Sequence, residues 1–217
     1  MDDKKIIPLS TTSEEILEAV AAVGAWAPWF SDPLCPILIK MAIQHNFERV
    51  RAVLVEMAKQ LKSIEPEDAA LYLKTDQFYE LFERVLQHSV SEPDDYKRKC
   101  YAYFLANDLK LPHHPYQEKI SLLHDLEQLP PDGIRLFKSL LLEPEGRVYI
   151  PLYQTLQQRL PDLAMEQIAE LTGQLEERGI ANFKNQTALL RGRRPGDLQV
   201  LISRYGQRLL SYILPVG

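Results

Sequence analysis

The chain has 217 residues, enough for one large domain or two small ones with a real core. With 46% hydrophobic and 25% charged residues it is not a disordered chain, and nine glycines are too few for a turn-rich all-β fold. A net charge of -5 excludes a generally basic nucleic-acid coat. The charge is uneven: residues 1–110 hold 13 Lys/Arg against 18 Asp/Glu, whereas 111–217 hold 12 of each. A nucleic-acid surface, if there is one, is therefore local and belongs to the second half.

The mixed-charge start, Met1-Asp2-Asp3-Lys4-Lys5, leads into no long apolar run, so no secretory signal is expected. Thr12-Ser13-Glu14-Glu15 has capping-box spacing and opens a helix with Ile16, Leu17, Val20 and Val23 on its apolar side. The window Val20 to Ile43 is the most apolar, but Pro28, Pro33 and Pro36 break it and Asp32 and Lys40 charge it. It is not a spanning helix, which needs about 20 apolar residues in succession, and the cytoplasm is the expected compartment. Trp26, Trp29 and Phe30 sit in this broken stretch as either core or an apolar partner surface, for protein or membrane.

Phe47, Val50, Leu54, Met57, Leu61 and Ile64 recur at spacings of three and four, the stripe of an amphipathic helix. Packing in a bundle and a coiled-coil seam both fit that spacing. Thr75-Asp76 caps a helix with Phe78, Leu81, Phe82 and Val85; Ser91 to Asp95 starts another that buries Cys100, Tyr103 and Phe104. Leu111-Pro112-His113-His114-Pro115 reads as a linker, and a short helix follows before Pro130-Pro131.

Beyond it, Ile134 to Leu141 marks a helix and Val148-Tyr149-Ile150 a short strand. Leu152, Leu156 and Leu160 mark a second helix, and Ile168, Leu171 and Leu175 a third, stopped at Gly179 in the left-handed conformation. Ile180 to Phe183 and Thr187 to Leu190 flank the polar Lys184-Asn185-Gln186 as a hairpin. Arg191 to Gly196 is a basic loop, and a last helix carries Ile202, Tyr205, Leu209 and Ile213.

Three helices, a hairpin and a helix form the element order of a winged helix-turn-helix. Leu175-Glu176-Glu177-Arg178-Gly179-Ile180 resembles the end of that family's recognition helix. Leu201 to Leu210 resembles the L-T-x-x-G-x-x-L-L opening of the helix after the wing. In the first half, Asp32-Pro33-Leu34, Phe78 to Phe82 and Tyr96 to Asn107 resemble uncharacterised bacterial helical proteins similar to the abortive-infection alpha family. The shared feature is E-K-R-x-x-Y-A-x-x-L-A-N, with Tyr96 standing where an acidic residue is common. That resemblance implies a link to phage defence.

Catalytic chemistry finds little support. No phosphate-cradling glycine loop or nucleophile elbow is present. His113, His114 and His124 lack metal-ligand spacing. Cys35 and Cys100 have no partnering pattern and read as reduced thiols, with one disulfide as the alternative. No catalytic, cofactor or metal site is expected.

The expectation is a mainly α protein: an N-terminal helical bundle over 1–128, then a winged-helix domain with a small β-hairpin over 129–217. Lys184, Arg191, Arg193 and Arg194 of the wing, with Gln167 and Gln174 of the third helix, are its candidate nucleic-acid or partner contacts. Glu166, Glu170, Glu176 and Glu177 on that helix oppose DNA and favour a protein partner or self-association. A DNA-binding transcription regulator is the alternative.

Overall fold

A computed structural model describes residues 47–61, 69, 71–140, 148–185 and 197–216. Trp26, Trp29, Phe30, Cys35 and the capping box at Thr12 lie outside them, as do Arg191, Arg193 and Arg194. The protein is mainly helical with a small antiparallel sheet. It divides into two compact units, one holding the chain up to Ile120 and again from Tyr212, the other Ser121–Ser211. Among the described residues no helix is long and apolar enough to cross a membrane.

In the first unit α1 (Phe47–Leu61), α2 (Asp76–Ser91) and α3 (Asp95–Lys110) pack against one another. The stripe on α1 is wider than a coiled-coil seam: Val53 and Ala58 are buried beside Val50, Leu54, Met57 and Leu61. An apolar arc that broad faces more than one neighbour, as bundle packing requires.

Both later helices begin as their sequences predict. The Thr75 hydroxyl accepts from Phe78 N at 3.3 Å, and the Asp94 carboxylate accepts from Lys97 N at 2.8 Å. Phe78, Leu81, Phe82 and Val85 of α2 then meet Cys100, Tyr101, Phe104 and Leu105 of α3 in a common core, all buried.

The tract Tyr96 to Asn107 that carries the abortive-infection resemblance is occupied with holding this unit together. Lys97 is buried with its ammonium 3.4 Å from Glu92, Arg98 bonds the Glu92 carbonyl and pairs with Asp95, and Tyr101 is enclosed. Asn107 Nδ2 donates to Tyr103 O at 3.0 Å, Tyr212 O at 3.1 Å and Leu214 O at 2.7 Å. Tyr212 is itself buried, its ring centroid 4.7 Å from that of Phe104, and Val216 N donates to Gln60 Oε1 at 3.0 Å. Asn107→Ala leaves two distant carbonyls without their donor. It is expected to cost about 2 kcal/mol in urea unfolding, since a buried acceptor that loses its partner keeps its desolvation penalty.

Three buried polar side chains meet where α3 ends and α4 (Tyr116–Gln128) begins. Lys119 Nζ lies 2.8 Å from Asp108 Oδ1, donates to the Tyr72 hydroxyl at 2.8 Å and to Pro112 O at 3.3 Å, and sits 4.2 Å above the Tyr72 ring. Asp108 is 0% and Lys119 1% exposed. Burial pushes the Asp108 carboxyl up, and the Lys119 ammonium opposes the rise. Burial and then the Asp108 charge raise the Tyr72 hydroxyl, which stays protonated.

The second unit contains α5 (Pro131–Ser139), β1 (Val148–Pro151), α6 (Leu152–Arg159), α7 (Met165–Glu177), β2 (Ala181–Asn185), β3 (Asp197–Ile202) and most of α8 (Arg204–Ile213). Pro131 opens α5 at a first-turn position, where a missing amide costs nothing. The sheet is three-stranded and antiparallel in the order β1-β3-β2. The expected strand at Val148 is present and pairs with Val200.

The hairpin differs from the sequence reading. The partner of β2 is β3, with Ala181 opposite Ile202 and Asn185 opposite Leu198, so Lys184 and Asn185 are strand residues rather than a turn. Thr187 to Leu190 lies outside the described residues. Leu201 and Ile202 finish a strand, and the last helix starts later, at Arg204.

Candidate docking surface

Helix α7 is the element on which the second unit is organised. Ile168, Leu171, Thr172 and Leu175 are buried, and the helix packs on α5, α6 and β2. Its start has half of a capping box: Ala164 has no side-chain acceptor, but Gln167 Oε1 accepts from Ala164 N at 2.9 Å.

Its end is a Schellman motif. Gly179 adopts φ 66°, its amide donates to Glu176 O at 2.9 Å, and Ile180 N donates to Leu175 O at 2.9 Å. Beyond Ile180 the chain enters β2, so the left-handed glycine turns the helix directly into the sheet.

The opposite face is acidic. Glu166, Glu170, Glu176 and Glu177 are exposed, with Ala169 among them. Glu176 Oε1 also accepts from Phe183 N at 3.4 Å, which ties the helix end to β2. Arg178, the cation at this end, is turned inward: its Nη1 lies 3.1 Å from Asp125 Oδ1. The Tyr205 hydroxyl donates to the other oxygen of Asp125 at 2.5 Å. Burial first and Asp125 second push that hydroxyl well above the ordinary tyrosine range. One carboxylate thus anchors both the end of α7 and the first turn of α8.

Chain comparison adds no relative to this geometry. No family model, curated protein or solved structure matches the chain.

The two glutamines proposed as contacts both lie on α7 with partners in their own helix. Gln167 caps its start, and Gln174 Nε2 donates to Glu170 Oε1 at 3.5 Å. Lys184 is placed in β2, and its side chain lies outside the described residues with Arg191, Arg193 and Arg194. Sequence reasoning missed Asp125 and Tyr205. The signal for Tyr205 was present, because it falls on the apolar stripe of the last helix with Leu209 and Ile213, but nothing local links it to Asp125.

Gly173 sits at mid-helix where a Cβ would meet nothing within 4 Å. A glycine in a helix interior costs about 1 kcal/mol relative to alanine through backbone entropy. Gly173→Ala is therefore expected to stabilise the protein by about 0.5–1 kcal/mol in urea unfolding. A loss of stability instead would mean that the site is closed to a methyl group.

The remaining polar groups are dispersed. His113 is exposed, the His114 Nδ1 is 3.2 Å from the Tyr212 hydroxyl, and His124 is 3.7 Å from Glu127. Cys100 is buried. Among the described residues no three His, Cys, Asp or Glu side chains converge as a metal site. Arg135 makes a two-pronged pair with Asp162, at 2.6 and 3.0 Å, which fastens α5 to the turn before α7 and holds the Asp162 carboxyl below its ordinary range.

Proposed function

We propose that the second half of the chain is a winged helix that docks a protein partner, within a non-enzymatic bacterial regulatory or interaction protein. The order α5-β1-α6-α7-β2-β3-α8 and the sheet order β1-β3-β2 support the winged-helix reading. In that arrangement α7 is the helix offered to a ligand. The observation that carries the functional reading is its exposed acidic face, together with the engagement of Arg178 by Asp125. Carboxylates facing phosphate-lined grooves repel, whereas DNA affinity comes largely from cations that displace counterions. A partner with a basic surface suits this face. Through the resemblance of the first half, phage defence is the setting in which we place it.

The test compares the natural protein with a Glu166→Lys, Glu170→Lys, Glu177→Lys variant. The natural protein is expected to leave labelled duplex DNA unbound in fluorescence anisotropy at low salt. It is expected to retain a partner from lysate of its source that the variant loses. Salt-sensitive duplex binding that disappears in an Arg191→Ala, Arg193→Ala, Arg194→Ala variant would overturn the proposal in favour of a DNA-binding regulator.

A further inference from the structure

No further inference is drawn: the strongest candidate, the groove of about 250 Å³ between α1 and α3 lined by Ala52, Val53, Glu56, Asp95, Arg98 and Lys99, carries nothing, because Glu56 is held by Lys59 and Gln60 and Arg98 by Asp95, and nothing in the structure shows what fills it.

Discussion

Lys119→Met is expected to lower the stability of the first unit by about 3–5 kcal/mol, the usual cost of stripping one partner from a buried ion pair. Asp108 has no route to water, being 0% exposed, and Lys119 supplies the charge that faces it at 2.8 Å. Methionine fills much of the lysine volume, so packing is nearly kept and the electrostatic loss is isolated.

The variant should also change how stability follows pH. Burial already raises the Asp108 carboxyl and Lys119 restrains it, so without Lys119 the folded value rises further above the unfolded one. A carboxyl raised in this way binds its proton more readily in the folded state. Its contribution is complete below the unfolded value and is lost as pH rises through the folded value. The variant is therefore expected to be most stable in mild acid and to weaken toward neutrality. Adding Asp108→Leu should restore most of the loss, because no lone charge remains. Urea unfolding at several pH values measures all three proteins. A single variant within 1 kcal/mol of the natural protein, flat in pH, would show that the pair is not buried as described.

Gly206→Ala is expected to destabilise the second unit by about 3 kcal/mol, a large value for one added methyl group. The reason is backbone, not side chain. A Cβ on Gly206 would overlap the carbonyl oxygen of Ile180, which cannot swing aside. That oxygen already accepts from Ser203 N at 3.0 Å, and the Ser203 hydroxyl lies 3.0 Å from it and 2.6 Å from Gly179 O. Ser203 Oγ in turn accepts from Gly206 N at 2.9 Å, capping α8. The first turn of α8 is thus laid directly on the stop of α7. Hydrogen exchange should show the amides of β2 and β3 losing protection before those of α1 to α3. Unchanged protection in β2 and β3 would mean that α8 can slide off Ile180 without cost.

This contact gives the L-T-x-x-G resemblance a physical content. Ser203 and Gly206 stand at its second and fifth positions, one capping the helix and the other letting it approach. What sequence could not supply was the place to which they dock. Local features were legible throughout: the stripe of α1, the caps at Thr75 and Asp94, and the glycine stop at Gly179 each depend on residues within a few positions.

The hairpin was misread because Lys184-Asn185-Gln186 has turn composition, while strand register belongs to two segments at once. The alternation Leu198, Val200, Ile202 did carry a strand signal. The Asp108–Lys119 pair also left a trace, since each charge falls in phase with buried neighbours: Cys100 and Phe104 for one, Leu122 and Leu123 for the other. On the acidic face of α7 the glutamates were readable in sequence. The pairing of Arg178 and Tyr205 with Asp125 was not, because that carboxylate is 53 and 80 residues away from them.

Tyr212 has a consequence for the order of assembly. It is the residue at which the chain returns to the first unit, where it closes against Phe104 and is bonded by Asn107. Every residue of 121–211 is synthesised before it, so the second unit has all its parts while the first still lacks an aromatic side chain of its core. During vectorial synthesis the usual precedence of the N-terminal unit is reversed for completion. The core that α1 to α3 build receives Tyr212 and the buried Ile213 only after the sheet and α7 have been made.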